Sequence, residues 1–244
     1  VLQNFVSQYP NMQFITGVDF YRHYPQKEKP TITANFYGQN GWFDFYNAAV
    51  QVGKNNISEK YIKSKLVVGV ENFPFKNVLE PLLGDVMLDL GGTVAMRATQ
   101  KDRSVFFSND KVFAAAPIIC YESIYGEFVT GYVKNGANFL AIITNDAWWD
   151  NTQGHKQHLS YARLRAIETR KSVARSANTG ISAFINEKGE VTKTLAYNAK
   201  GSLSGEVTIN NKETFYVKYG DYIARLSVLF AGMILLYAIA RKKQ

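Results

Sequence analysis

The stretch Val112–Glu127, VFAAAPIICYESIYGE, decides how the rest of the chain is read. Up to Ile119 it is almost continuously apolar, the mark of a strand buried on both faces. The run ends on Cys120, the single cysteine of the chain, and Tyr121 and Glu122 follow at once. From Glu122, ESIYGEFVTGYVKNG sets Ile124, Phe128, Tyr132 and Val133 at helical spacing, and Gly136 stops the helix. Cys120 therefore stands where a strand hands over to a helix. At such a turn outward-pointing amides and the positive end of the helix dipole favour a thiolate and can hold an oxyanion. The same position suits an inert core thiol, because free cysteines are among the most buried residue types. Glu122 is nevertheless an odd neighbour for a core cysteine, and a lone thiol facing an oxidising compartment is a liability unless it is used.

Outward from this stretch, short β-rich apolar runs alternate with longer helical ones, which favours an α/β fold. QFITGVDFY and FYNAAVQVG read as strands, the second after the turn-rich YGQNGW. KLVVGVENFPF reads as a strand running into a proline-marked loop, and Phe75–Ser108 is rich in glycine and turns. FLAIITND is another buried strand. HKQHLSYARLRAIETRK is an amphipathic helix with Leu159, Ala162, Leu164 and Ile167 on or beside its apolar side. The segment from Ser172 to Tyr197 closes as a hairpin turning at Gly189. No internal repeat or low-complexity tract is visible.

The chain has 244 residues, 46% of them hydrophobic and 14% aromatic, which excludes disorder and suits one large α/β domain or two small ones. One cysteine excludes an internal disulfide and a multi-cysteine zinc site. A net charge of +8 points to an anionic neighbour, nucleic acid or an acidic lipid surface. The C-terminus chooses the lipid. LSVLFAGMILLYAIA, Leu226–Ala240, is an uncharged apolar run of fifteen residues that stops at RKKQ. It would form a helix of roughly 22 Å against a hydrocarbon core of about 30 Å. Extension back to Tyr222 gives nineteen residues, with Arg225 near the end where it can snorkel. The run shows no polar face and lies between an aromatic YGDY and three basic residues, as a membrane-spanning helix does, although a buried core helix has similar length. The positive-inside rule then places Arg241, Lys242 and Lys243 in the cytoplasm and the domain on the far side. Residues 1–218 are read as the domain and 219–244 as the span with its basic tail. Val1 is no initiator methionine and no signal peptide precedes it, so the chain is expected to be the C-terminal piece of something longer.

Thiol acyl chemistry needs a proton acceptor and a cation, and YIKSKLVVGVENFPF offers Lys63, Lys65 and Glu71. On a strand the two lysines share a face, so the pattern leaves open which points inward and whether both are simply solvated. His155 and His158 are three apart at a helix start, a spacing that can chelate a metal. Neither has an acidic or cysteine partner of metal-site type nearby in sequence, and no metal site is expected. Trp148 and Trp149 follow a strand end and read either as core aromatics or as an apolar lip.

ICYESIYGE, ITNDAWWDNTQGHKQHLSYARLRAIETRKSVARSANTGISAFIN and YIKSKLVVGVENFPF together resemble the apolipoprotein N-acyltransferases, the membrane-bound branch of the nitrilase (carbon–nitrogen hydrolase) superfamily. The resemblance covers nearly the whole chain. It implies a four-layer α-β-β-α sandwich facing the periplasm of a bacterial inner membrane, with a C-terminal transmembrane helix. It implies transfer of a fatty acyl chain from a phospholipid, through a cysteine thioester, to the N-terminal amine of the diacylglyceryl-cysteine of an apolipoprotein. By motif it makes Cys120 the nucleophile, Lys63 the catalytic lysine and Glu71 the second essential glutamate. Of the Tyr121–Glu122 pair after the nucleophile, Glu122 is catalytic, holding the lysine and tuning proton transfer with Glu71, and the Tyr121 amide helps to hold the oxyanion. Asn47 and Trp148 go with the substrate side of the site. No cofactor and no nucleic acid enter this chemistry.

Two departures stand out. Where the family pattern usually continues Pro-Phe-Gly-Glu, this chain reads Val68-Gly69-Val70-Glu71. The family's general-base glutamate is expected upstream of residue 1, and Glu28, which follows the FITG strand, does not substitute for it by position. The isolated chain is therefore expected to be inactive. The alternatives are an amidase or other hydrolase of the same superfamily, and a non-catalytic membrane-tethered domain on the same fold.

Overall fold

A computed structural model describes residues 2–9, 11–25, 28–54, 56–72 and 96–241, with backbone alone for 56–58. The glycine- and turn-rich reading of 75–108 lies outside the described residues up to 95, as do Pro74 and the basic Lys242 and Lys243.

Two β-sheets stack face to face. The first holds β1 (Phe14–Tyr24), β2 (Asn35–Phe36), β3 (Trp42–Gly53) and β4 (Asn56–Ile62). β1 and β3 pair antiparallel from Phe14↔Val52 to Tyr24↔Trp42, and β4 and β2 pair with β3. The second sheet comprises β5 (Phe106–Phe107), β6 (Ala114–Ile119), β7 (Phe139–Thr144), β8 (Val173–Ala177), β9 (Ser182–Ile185) and β10 (Val191–Leu195). Its order is β10-β9-β8-β7-β6-β5, with β6, β7 and β8 parallel. Every residue of β6 is buried, as its unbroken apolar run requires of a central parallel strand. The core between the sheets joins Ala49 and Tyr61 to Ala115, Ile118, Leu140 and Ile142.

The helices are α1 (Leu2–Val6), α2 (Gly126–Lys134), α3 (Gln153–Thr169), α4 (Phe215–Tyr219) and α5 (Tyr222–Arg241). α1 packs against β3, while α2 and α3 are the crossovers of the parallel strands, with α4 packed on both. This is the α-β-β-α layering that the family resemblance implies. α5 carries twenty residues and none of them is buried. At 1.5 Å per residue it is about 30 Å long, so by length and composition it can cross a bilayer. Its start is pinned to α2: the Asp221 amide donates to Glu127 Oε1 (3.1 Å), and Arg225 pairs with the same oxygen.

Three local expectations are corrected. No strand forms at KLVVGV: β4 ends at Ile62, before it, and Lys63–Asn72 is a folded loop in which the Val70 and Glu71 amides donate to the Val67 carbonyl. β-branched residues favour a strand only while a ladder is available, and here side-chain carboxylates take the backbone amides instead. The helix expected from Glu122 is split into a 3-10 turn, Cys120–Ile124, and α2, separated by extended Tyr125. On α3, Leu164 and Ile167 are exposed, and the inward stripe is His155, His158, Ala162, Arg165, Ala166 and Thr169. Those polar residues have buried partners: Arg165, for example, donates to the Ile124 carbonyl (2.9 Å) and to Glu168 (2.9 Å). Hydrogen-bond partners, not hydropathy, choose the face.

Candidate active site

Cys120 emerges half-buried from the end of β6 with φ 49°, a left-handed conformation that a non-glycine residue adopts only where its surroundings enforce it. The turn is enforced from within. Ser123 Oγ donates to the Cys120 carbonyl (2.8 Å), and the buried Glu122 carboxylate accepts from the Ile119 amide (2.9 Å).

Glu122 also fastens a second segment to this turn. Its Oε1 accepts from the Tyr61 hydroxyl (2.5 Å) and from the amides of Ser64 (2.6 Å) and Lys65 (3.2 Å), while the Tyr132 hydroxyl reaches Oε2 at 3.4 Å. Burial pushes the Glu122 carboxyl above its ordinary range, and these donors pull against it. Two of those amides belong to the residues straight after Lys63, so Glu122 reaches the lysine segment through its backbone.

Lys63 answers the question its pattern left open. It is 1% exposed and points inward, while Lys65 is exposed with its ammonium over the rings of Tyr125 and Phe128. Lys63 Nζ lies 2.6 Å from Glu71 Oε2, which also accepts from the Val67 amide (2.9 Å). Asn47 Nδ2 donates to Glu71 Oε1 (3.0 Å). Burial alone would raise the Glu71 carboxyl, but the adjacent Lys63 ammonium, with these hydrogen bonds, holds it below the usual range. Lys63, Glu71 and Asn47 thus form one unit, and Glu122 ties it to the Cys120 turn. Tyr121 is half-buried with its ring edge-on to Tyr125 (5.4 Å), and Trp148 is 65% exposed beyond the end of β7.

Sequence reasoning missed a second buried unit. His158 Nδ1 is 2.9 Å from Asp146 Oδ1, and its Nε2 is 2.8 Å from Ser123 Oγ and 3.1 Å from the Cys120 carbonyl oxygen. Arg175 Nη2 pairs with Asp146 Oδ2 (2.5 Å), and the Thr144 hydroxyl donates to Oδ1 (2.8 Å). Burial would raise the Asp146 carboxyl, yet the His158 contact and the Arg175 charge hold it below its ordinary value. Gly180 must be glycine here: at φ +138° a Cβ would sit 2.6 Å from Asp146 Oδ2. The signal available in sequence was a run of polar residues at helical spacing in α3, which makes sense only if that face is buried against polar partners. His155 turns elsewhere, to the Asp150 carbonyl (3.2 Å) and the Tyr197 ring. Among the described residues no group of three His, Cys, Asp or Glu side chains is placed to hold a metal.

The carbon-nitrogen hydrolase family profile matches residues 14–214. The chain is 34% identical over 199 residues to the apolipoprotein N-acyltransferase of Wigglesworthia glossinidia brevipalpis, covering 78% of this chain and 38% of that protein. It is 32% identical over 227 residues to that of Azotobacter vinelandii, covering 93% of this chain and 40% of the relative. The chain thus spans less than half the length of these curated relatives. Among solved structures, an amidase from Nesterenkonia sp. superposes with a TM-score of 0.54 at 12% identity, covering 93% of this chain and 70% of that one. A carbon-nitrogen hydrolase from Helicobacter pylori does so with 0.54 at 12%, covering 80% and 61%. At such identities these two speak for the fold alone. The chain belongs to the carbon-nitrogen hydrolase family, and the curated relatives it matches there are apolipoprotein N-acyltransferases.

Proposed function

We propose that this chain carries the nucleophile and oxyanion side of an N-acyltransferase that moves a fatty acyl chain from a phospholipid to the N-terminal amine of the diacylglyceryl-cysteine of an apolipoprotein. The observation that carries the reading is the buried Lys63–Glu71 pair on a segment that Glu122 fastens to the Cys120 turn. A buried ammonium on a segment fastened to a left-handed cysteine turn suits acyl chemistry better than packing.

In the first step the Cys120 thiol gives its proton to a general base, which the family resemblance places upstream of residue 1. The sulfur attacks the ester carbonyl, the C–S bond forms, the ester C–O bond breaks, and the lysophospholipid leaves with the proton. Lys63 and the Tyr121 amide stabilise the oxyanion between these events. In the second step the lipoprotein amine attacks the thioester. The C–N bond forms, the C–S bond breaks, and the amine proton passes by way of the base to the departing sulfur, which restores the Cys120 thiol and the free base. The thioester divides one hard acyl transfer into two easier ones. Glu71, steadied by Asn47, keeps Lys63 charged and aimed, and Trp148 lies exposed on the approach. No cofactor or metal takes part.

Residues 1–218 form the catalytic domain, and 219–244 form the span that holds it on the periplasmic side of the inner membrane, against the anionic headgroups that suit a basic domain. The test is incubation of the longer parent protein, which would carry the general base, after reconstitution in lipid, with phospholipid labelled in its acyl chain. A hydroxylamine-sensitive label on Cys120, lost in Cys120→Ala and passed on to a diacylglyceryl-cysteine peptide, is the expected result. Turnover of a soluble amide with no label on Cys120 would overturn it in favour of a hydrolase.

A further inference from the structure

The inner face of the first sheet runs past the end of the sheet it covers. Along β3 the odd-numbered residues face the second sheet: Gln51 donates to the Phe107 carbonyl (2.7 Å), Ala49 joins the shared core, and Asn47 meets Glu71. Gly17 of β1, in register with Ala49, has the Ile143 side chain 3.3 Å from where its Cβ would stand. Ile143 is in register with Ile119, the residue before Cys120. The level of Gly17 is therefore the edge at which Cys120 emerges. Beyond Asp19↔Asn47 the two strands continue for five more register pairs, to Tyr24↔Trp42, about 17 Å at roughly 3.4 Å per residue.

The inner face of this overhang is aromatic. Tyr21 is opposite Phe45 and His23 opposite Phe43. Phe43 stacks on Phe45 (6.2 Å), Tyr21 meets both, His23 lies on Phe43 (4.8 Å), and Tyr37 stands edge-on to both phenylalanines (5.6 and 5.7 Å). Tyr21 is 65% exposed and Tyr37 48%. The opposite face also carries rings, Phe20 on Tyr46 (4.6 Å) and Phe36 by Trp42 (5.0 Å), but they flank a buried Asp44 that accepts hydrogen bonds from Tyr24, Thr31 and Thr33. The ring strip begins two residues, about 7 Å, from Asn47. It ends in an open hollow of about 510 Å³ beside Tyr21, His23 and Phe43. A contiguous exposed apolar strip marks a binding surface, and this one is continuous with the site and lies at the edge where Cys120 emerges. It offers ring contact from Phe45 to Phe43 and Tyr21, between the Asp19–Arg97 ion pair at its start and His23, Gln39 and Asn40 at its far end.

We propose that the overhang seats the hydrocarbon tail of the acyl group, so that a chain carried on Cys120 lies along Phe45, Phe43 and Tyr21. This rests on Cys120 being the acyl-carrying nucleophile. A strip of this length favours a long fatty chain over a short acyl group, and rigid rings hold their place without having to order on binding.

The test compares acylation of Cys120 by donors bearing a sixteen-carbon and a four-carbon chain, in the lipid-reconstituted longer parent protein and in its Phe43→Ala and Tyr21→Ala variants. Each ring covers about two methylenes, so the long-to-short rate ratio is expected to fall about tenfold in each variant. A second measurement needs no variant: a phospholipid with a diazirine in its acyl chain is expected to crosslink to Tyr21, Tyr37 or Phe43. An unchanged ratio, or crosslinks confined to α5, with Cys120 still acylated, overturns the seat and leaves acyl transfer standing. No acyl group on Cys120 from either donor overturns acyl transfer, and the seat with it.

Discussion

His158 Nε2 stands 3.1 Å from the carbonyl oxygen of Cys120 while its Nδ1 stands 2.9 Å from Asp146, so one imidazole links the cysteine turn to a fully buried carboxylate. Arg175 closes the chain of contacts on the other oxygen of Asp146. The left-handed backbone at Cys120 is thus held from β7, β8 and α3 together. Removing Asp146 as Asp146→Ala leaves the Arg175 guanidinium buried without its anion, a loss of about 3–5 kcal/mol. His158→Ala removes a contact to the turn itself. Displacement of the thiol by an ångström lowers the rate of Cys120 acylation on the order of 100-fold. Chemical denaturation of the detergent-solubilised variants and single-turnover acylation measure the two effects.

Two buried carboxyls are held below their ordinary range, Glu71 with Lys63 and Asp146 with His158 and Arg175. A carboxyl depressed in the folded state contributes stability that is present above its unfolded value and lost as pH falls through its folded one. Stability is therefore expected to hold above about pH 5 and to decline as pH drops through about 4 and below. Glu71→Gln and Asp146→Asn are less stable than the parent at neutral pH and lose less on acidification. Melting curves between pH 7 and pH 3 give the slopes. A parent slope matched by both variants would locate the acid sensitivity elsewhere.

Lys63→Ala tests the oxyanion assignment. Loss of one well-placed donor costs roughly 10²–10³ in rate, so acyl-enzyme formation is expected to fall that far. Asn47→Ala removes one hydrogen bond to Glu71, worth about 1 kcal/mol, and its effect on rate is about tenfold or less. An Asn47→Ala loss as deep as that of Lys63→Ala would mean that Asn47 touches substrate directly.

Much of this was legible in the sequence where a single segment carries its own signal. The unbroken apolar run before Cys120 is a central strand because both its faces are covered, and Gly136 ends α2 where expected, with φ +98°. The Lys63–Asn72 loop was not legible, since KLVVGV has every local mark of a strand and is bent by Glu71 and by Glu122, the latter 58 residues beyond Ser64. The His158–Asp146–Arg175 unit was hidden for the same reason. Arg175 lies 29 residues from Asp146, and a polar residue reads as solvated until its partner is known. The aromatic overhang needs the register of β1 on β3 and the end of β7, and neither is a property of one segment.

Glu122 supplies the sharpest separation between holding and reacting. Its Oε1 faces the Ser64 and Lys65 amides and its Oε2 faces the Ile119 amide, so each oxygen meets at least one group that can only donate. In Glu122→Gln the side-chain NH₂ meets an N–H in either orientation. A buried donor without an acceptor costs about 1–3 kcal/mol, and the Lys63 segment comes loose from the Cys120 turn. The variant is therefore expected to melt lower and to acylate Cys120 more slowly, with the pH dependence of the remaining rate unchanged if Glu122 acts by holding the segment and not by passing a proton. If Glu122→Gln instead kept the parent's stability and shifted the pH profile, Glu122 would be a proton carrier, and the tie between the two segments would have to come from Tyr61 and the packing around it.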